Sequence, residues 1–287
     1  MSVRNFLLAC AALIAALAGA EAIVRLWHLA PPPTAYEGKT YFKAPGGRLE
    51  CMNPEMDRPY FHQPLNPYKG CVFYSVNNLG FRNSRPTLAK APAGTRRVAA
   101  VGDSFTYGFG VQEQDTFLKL LENFWNQSGK KSEVLNAAVP AAALPEYTRT
   151  LEKKILPLRP GLLLVGLNLN DVADFPTSLI TETTVSFLGG TFRKKSRFLD
   201  FALYAVERKL SAGRNIASIL ASYTAEKKKS LRAFLADLQR KGETSGASVF
   251  VIVYPIFYDF DHYAFRPIHE DIEAALNETG IPHSDLL

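Results

Sequence analysis

The stretch that decides the fold is residues 98–110, which read VAAVGDSFTYGFG. An apolar run of strand length stops at Gly102 and is followed by Asp103 and Ser104. In open α/β sheets, ligands bind beyond the carboxyl ends of strands, often where a strand turns through glycine into a helix. We therefore expect Ser104 to stand at such an end, with its backbone N–H free to donate. The alternative interpretation is a plain turn with a helix cap.

Three other glycine-containing motifs do not fit this stretch. A nucleophile elbow of the α/β-hydrolase type needs a second glycine two residues after the serine, where Thr106 stands. A P-loop needs a lysine after its glycines, and the stretch has none. The glycines at 102, 108 and 110 also lack the spacing of a dinucleotide-binding fingerprint.

Outward from this stretch, strand-like and helix-like patterns alternate along the chain. The predicted strands are 97–101, 134–136, 162–167, 249–254 and 281–287, and the predicted helices are 115–125, 146–156, 198–210, 224–241 and 268–279. This alternation predicts an α/β fold with a doubly wound parallel sheet in three layers, of the flavodoxin-like type. Residues 172–223 read as an insertion, which we expect to border the active site.

Composition and charge exclude several classes of partner. The chain has 287 residues, of which 47% are hydrophobic, and a formal net charge of +6. Its basic residues fall in separate small clusters rather than in a stripe interleaved with aromatics, so we expect no nucleic-acid partner. The positive net charge still predicts a mild attraction of the protein to anionic lipid or polysaccharide. Since the histidines and cysteines lack metal-ligand spacing, we expect neither a metal nor another cofactor.

The N-terminal segment has the features of an export signal. Arg4 precedes an uncharged apolar run, residues 6–20. We expect this segment to stay as a membrane anchor over 1–27, with Trp27 at the interface. The alternative is cleavage by a signal peptidase near Ala20, which would release a secreted protein. Both place the main domain in the periplasm or outside the cell. Residues 28–92 predict an irregular extension, in which a disulfide between the chain's Cys51 and Cys71 fits an oxidising compartment.

Three blocks in order carry a resemblance to a known family: residues 102–105 (GDSF), 136–140 (NAAVP) and 170–171 (ND). They resemble the SGNH family of GDSL-type esterases and acyltransferases, over about residues 77–287. The lead-in at 77–82 (NNLGFR) resembles the membrane-anchored bacterial members. Residues 93–287 would then form an SGNH hydrolase-like domain.

The resemblance implies a mechanism of acyl transfer through a serine ester. It makes Ser104 the nucleophile, with an oxyanion hole formed by the backbone N–H of Ser104, the backbone N–H of Ala138 and the side-chain amide of Asn170. Two positions depart from the family pattern, which usually has glycine where Ala138 and Asn168 stand.

No histidine stands at the position where this resemblance predicts the general base. The family takes it from an Asp-x-x-His block after the last strand. Here only Asp259 to His262 has that spacing, one strand–helix unit too early, so His262 is the weaker candidate base. The helix carrying His269 is expected to run away from the site, and His283 falls at the wrong end of its strand. We therefore expect the sequence to be a fragment that lacks the catalytic Asp and His.

The function that follows is a serine esterase acting on O-acyl groups of an envelope carbohydrate or lipid. Two alternatives stay open from the sequence. One is an O-acyltransferase of the same fold, in which a sugar hydroxyl replaces water, and the other is a non-catalytic module that binds through the same pocket.

Overall fold

The computed structural model describes residues 2–27, 40–44, 47–51, 71–174, 196–257 and 259–287. The side chains at 40–44, 47–51, 71, 200 and 204–215 are not among the described atoms. By its contacts the chain divides into two compact units. The first unit comprises Met1–Thr40, Cys51–Cys71 and Pro176–Asn215, and the second comprises Tyr41–Glu50, Val72–Phe175 and Ile216–Leu287. The functional segments predicted above, with boundaries at 27 and 92, stay a prediction.

The N-terminal apolar run forms one long helix, α1 (Val3–Leu26). The side chain of Ser2 caps it by accepting a hydrogen bond from the N–H of Asn5. Its mean hydropathy of 2.3 and its length fit a membrane-spanning helix, and a signal sequence meets the same criteria. Most of its large apolar side chains are exposed, as expected for a helix whose partner is lipid.

The second unit is built on a five-stranded, all-parallel sheet in the order β5-β4-β6-β7-β8. The strands are β4 (Arg96–Val101), β5 (Ser132–Asn136), β6 (Leu162–Asn168), β7 (Ser248–Tyr254) and β8 (His283–Asp285). This is the flavodoxin-like strand order. The second strand of the sheet, β5, lies on one side of the first strand, β4, and the later strands are added on the other side. The prediction of a doubly wound α/β fold is therefore confirmed.

Alternate residues of β4 pack into different layers. Val98 and Ala100 lie in a core cluster with Leu118 of α3 (Phe117–Gln127). The other α-helices in the described part of the chain are α2 (Ser104–Tyr107), α4 (Leu144–Thr150), α5 (Arg197–Ser222), α6 (Ala225–Ser245) and α7 (Arg266–Thr279). Helix α6 contacts both α4 and α7, and right-handed crossovers place these three on the face opposite α3. The sheet is thus the middle of three layers.

Local capping explains where the helices begin. Thr116, rather than Asp115, caps α3 by accepting from the N–H of Lys119, because Glu113–Asp115 already form a 3₁₀ turn. Thr224 caps α6 in the same way, and Gly246 ends it in the left-handed conformation. The predicted helix 146–156 is divided into α4 and a π turn, Leu151–Ile155.

The expectation of an irregular segment over 28–92 needs correction. Three strands, β1 (Thr40–Ala44), β2 (Gly47–Cys51) and β3 (Cys71–Ser75), pair in that order in a second sheet. Each has only five residues, so the alternation of a half-buried strand was too short to recognise among prolines and glycines. The side chains of Cys51 and Cys71 lie outside the described atoms, and their disulfide stays a prediction.

Candidate active site

Ser104 stands at the carboxyl end of β4, as the first residue of a four-residue helix, α2 (Ser104–Tyr107). Asp103 caps that helix, since its Oδ1 accepts from the N–H of Phe105 at 2.9 Å. Both interpretations of the Gly-Asp-Ser sequence are therefore correct: Asp103 caps a helix, and Ser104 lies at the end of a strand. The first N–H groups of a helix have no acceptor within it, so the N–H of Ser104 faces away from α2. We call residues 102–111 the α2 turn.

Two glycines bring the α2 turn close to the sheet. The fully buried side chain of Thr106 lies against Gly102 at the end of β4 and against Gly166 in β6. A Cβ at either glycine would collide with the Thr106 hydroxyl. Glycine at 102 is therefore required by the close approach of its own turn, which is what sets Ser104 at the edge of the sheet.

The neighbouring strand supplies an amide beside Ser104. Asn170 lies in the 3₁₀ turn Leu169–Asp171 that follows β6, and its Nδ2 donates to Oδ2 of Asp103 at 3.3 Å. Asn168 caps this turn, and its φ of −108° is extended. A side chain is accommodated there without strain, which accounts for the departure from the family's usual glycine. The structure thus brings Ser104 and Asn170 to the same edge.

A second carboxyl group lies behind this pair. Oδ2 of Asp171 accepts from the N–H of Asn168 at 2.8 Å, and its Oδ1 accepts from the hydroxyl of Tyr147 at 2.9 Å. Burial, together with the charge of Asp103, raises the pKa of Asp171 well above its usual range. Burial also raises the pKa of Asp103, against hydrogen bonds from Phe105 N–H and Asn170 that lower it. The site therefore disfavours two negative charges, and Asp171 is the carboxyl that holds a proton more readily.

The loop after β5 differs from its expected geometry. The N–H of Ala138 donates to Oδ1 of Asn136 at 3.2 Å, and the N–H of Val139 donates to the carbonyl of Gly102 at 3.0 Å. Because the N–H of Ala138 already has an acceptor, we do not assign it the oxyanion-donor role below. The left-handed residue of the loop is Ala141, with a φ of 62°. Five of residues 137–143 are alanines, so no side-chain signal marks which of them takes this conformation.

His262 lies in the loop after β7, in the 3₁₀ turn Phe260–His262. Asp259 caps that turn through the N–H of His262, at 3.2 Å, and its Oδ1 lies 3.5 Å from Nδ1 of the imidazole. The Asp-x-x-His spacing thus has a local structural cause. The His262 side chain is 87% exposed, and the structure shows no hydrogen bond between it and Ser104 in the described part of the chain.

The other two described histidines have partners of their own. His269 of α7 is buried, with its Nδ1 2.6 Å from Oδ2 of Asp285 and its Nε2 3.2 Å from the hydroxyl of Tyr263. Nδ1 of His283 donates to the carbonyl of Ile281 at 2.9 Å. The pairing of His269 with Asp285 was not predicted from the sequence. It joins a helix to the strand that begins four residues after that helix ends, and no motif marks it.

A series of aromatic rings begins at Phe105, the residue after Ser104. The ring of Phe105 lies 5.6 Å from that of Phe257, which lies 6.1 Å from that of Phe260. Phe257 is 72% exposed and Phe260 is 52% exposed. We call Phe105, Phe257 and Phe260 the aromatic row. Exposed apolar rings beside a candidate nucleophile are typical of a binding surface.

Comparison with known proteins gives likenesses to solved structures only. No protein-family model matches the chain, and the search of curated proteins found no match. The crystal structure of TesA is 14% identical, covers 66% of this chain and 77% of its own, and has a TM-score of 0.43. AlinE4, described as an SGNH-hydrolase family esterase, is 16% identical, with coverages of 67% and 77% and a TM-score of 0.40. The acetyl xylan esterase AlAXEase is 14% identical, with coverages of 66% and 77% and a TM-score of 0.41.

Proposed function

We propose that the chain is a serine esterase whose nucleophile is Ser104. The observation that carries this proposal is the amide of Asn170, held by Asp103 on the residue directly before the serine. Two donors, that amide and the N–H of Ser104, then directly follow adjacent parallel strands, β6 and β4, which end at the same edge of the sheet. An acyl-transfer site needs such donors because the tetrahedral intermediate concentrates negative charge on one oxygen.

The proposed reaction proceeds through an acyl-enzyme. The Ser104 oxygen attacks the ester carbonyl carbon while a base takes its proton, and the intermediate collapses as the alcohol leaves with that proton. Water then attacks the acyl-serine and releases the acid. Asn170 and the N–H of Ser104 bind the oxyanion in both steps.

Among the described histidines, His262 is the proposed general base. Its imidazole is accessible to solvent and has a carboxylate neighbour, Asp259. His269 is enclosed between Tyr263 and Asp285, so neither of its nitrogens is available to a substrate. The loop that carries His262 also carries Phe257 and Phe260 of the aromatic row, whose other end is next to Ser104.

The proposed substrate is an O-acyl group on an envelope carbohydrate or lipid. The exposed aromatic row supports this proposal, because it offers ring faces to a bulky group outside the nucleophile. The test is release of acetate from an acetylated polysaccharide, and of fatty acid from a phospholipid, by the wild type and by Ser104→Ala. We expect release by the wild type and none by the variant. Equal release by both proteins would overturn the proposal.

We also propose that α1 is a retained anchor with the main domain outside the cytoplasmic membrane. Both carboxylate oxygens of Glu21 bind the start of α5: they accept from the hydroxyl of Ser196 at 2.8 Å, the N–H of Arg197 at 2.9 Å and the N–H of Phe198 at 2.8 Å. A segment with a folding role in the mature protein is retained rather than discarded. The test is the mass of the mature chain from a membrane fraction. An N-terminus near Glu21 would contradict the proposal.

A further inference from the structure

Arg82 is a buried cation that the mechanism above does not use. It belongs to the lead-in at residues 77–82, before the α/β domain begins, and it is 2% exposed. Its Nη1 donates to the carbonyls of Tyr107 and Gly108, and its Nη2 donates to the carbonyl of Val111. Its guanidinium carbon lies 4.7 Å from the ring centroids of both Tyr74 and Tyr107. One side chain therefore contacts three residues in the second half of the α2 turn.

The carbonyls that Arg82 binds belong to the segment that fixes the backbone of Ser104. The N–H of Gly108 and the N–H of Phe109 donate to the Ser104 carbonyl at 3.1 Å and 2.9 Å. Gly108 is in the left-handed conformation, and a Cβ there would lie 2.9 Å from Nη1 of Arg82. The guanidinium thus occupies the space that glycine leaves at the end of α2.

Asn136 extends the same arrangement to the loop after β5. Its backbone carbonyl accepts from the N–H of Arg82 at 2.8 Å. Its Nδ2 donates to the carbonyl of Tyr107 at 3.3 Å, while its Oδ1 accepts from the N–H of Ala138 at 3.2 Å. Arg82 and Asn136 together tie the lead-in, the α2 turn and the β5 loop into one hydrogen-bonded group.

We propose that Arg82 is a positioning residue for Ser104, acting through the α2 turn. This inference rests on the proposed function. Arginine is required because a planar guanidinium reaches the carbonyls of 107, 108 and 111 at once and lies against two neighbouring rings. Lysine keeps the charge, but its donors diverge from one nitrogen and do not span the separate positions that Nη1 and Nη2 reach. A lysine variant therefore lets the α2 turn move relative to Asn170.

Arg97 is a matched control within the same chain. It is also buried, and it donates to three backbone carbonyls, those of Leu88, Ala89 and Leu158, and in addition to the carboxylate of Glu133. It is the second residue of β4, at the end of the strand opposite Ser104. Arg97→Lys therefore removes a similar set of buried hydrogen bonds at a distance from the site.

The experiment compares Arg82→Lys and Arg97→Lys in the full chain, below the melting temperature of both. The readouts are Tm, the rate of covalent labelling of Ser104 by an alkyl fluorophosphonate, and kcat and KM for p-nitrophenyl acetate. We expect both variants to melt at lower temperature. Displacing a catalytic group by about 1 Å costs on the order of 10²-fold in rate, so Arg82→Lys should label about that much more slowly, with KM unchanged. Arg97→Lys should label at nearly the wild-type rate.

Two outcomes overturn the inference, and they are distinguishable. If the wild type labels and Arg82→Lys labels equally fast, or if Arg97→Lys loses as much, Arg82 has no special role in positioning Ser104. If the wild type does not label at all, the proposed function fails and the positioning role fails with it. Should Arg82→Lys not fold, Tyr74→Leu removes one ring from the guanidinium, together with the hydroxyl that accepts from the N–H of Gly110 at 2.8 Å. It is expected to slow labelling in the same direction by a smaller factor, and by more than Tyr74→Phe, which removes that hydrogen bond alone. A wild-type rate in Tyr74→Leu also counts against the inference.

Discussion

At the scale of single residues, the site depends on how Asp103 divides its two oxygens. One oxygen accepts from the N–H of Phe105 and fixes the start of α2, and the other accepts from the amide of Asn170. The same carboxylate therefore orients the helix that begins with the proposed nucleophile and the side chain that is proposed to bind the oxyanion. The positions of Ser104 and Asn170 at strand ends were predictable from sequence, because both follow apolar strands in recognisable blocks, and their catalytic roles stay proposals.

Replacing Asn170 tests the oxyanion role directly. Asn170→Ala should lower kcat by about 10²–10³-fold, because one donor to the developing charge is lost. KM and Tm should change little, since Asn170 is exposed and outside the core. Steady-state kinetics with p-nitrophenyl acetate measures this, with exposed Asn78→Ala as a control. A kcat within twofold of the wild type would exclude the role.

The buried carboxyl of Asp171 should make the fold less stable as pH rises. The folded-state pKa of Asp171 is raised, so the folded chain binds a proton that the unfolded chain releases near the ordinary pKa of 3.8. Stability then falls from about that pH upward, until the folded-state pKa is passed, and stays lower above it. Asp171→Asn should flatten this dependence. Urea denaturation of both proteins from pH 4 to pH 8 measures it, and parallel pH profiles would contradict the assignment.

At the scale of elements, the geometry of loops was the least predictable part. The strand ends that carry Ser104 and Asn170 follow from apolar runs and glycines. The left-handed Ala141 does not, because backbone angles in an alanine-rich loop depend on tertiary hydrogen bonds such as that from Val139 to Gly102. The burial of Arg82 was equally hidden, since its acceptors are backbone carbonyls that leave no mark in the sequence.

The turn carrying His262 allows a test that separates activity from folding. His262→Ala should lower kcat by about 10²–10⁴-fold, the range of general acid–base catalysis. Tm should stay unchanged, because the side chain is largely exposed and Asp259 caps the turn through the backbone. His283→Ala is the matched control. If kcat of His262→Ala equals that of the wild type, the base is another residue.

The pair of His269 and Asp285 joins α7 to β8. Burial alone would raise the pKa of Asp285, but hydrogen bonds from His269 and the N–H of Leu287 outweigh it and lower the pKa. Asp285→Ala leaves a buried imidazole nitrogen without its partner, which costs about 1–3 kcal/mol. The exposed pair of Glu278 with Arg232 is the control, since Glu278→Ala should cost about 0–1 kcal/mol. Urea midpoints distinguish the two, and equal shifts would contradict this role.

At the scale of the whole molecule, the class of the central sheet is what the sequence predicted best. Alternating strands and helices predicted a doubly wound parallel sheet of the flavodoxin-like type, and the structure has such a sheet in the order β5-β4-β6-β7-β8. That order places the carboxyl ends of β4 and β6 side by side beneath Ser104 and Asn170. The three short strands β1 to β3 were missed, because five-residue strands carry too little periodicity to stand out from a proline-rich segment.

The most direct test is to find which residue of the protein carries an acyl group during turnover. Full-length protein is mixed with p-nitrophenyl acetate, quenched in acid within the first turnovers, and digested for peptide mapping by mass spectrometry. We expect one acetyl group on Ser104, which disappears as the substrate is exhausted. No acetyl group is expected on the Ser104→Ala variant. Acetylation elsewhere, or ester hydrolysis with no acyl group on Ser104, would contradict the assignment of this serine as the nucleophile.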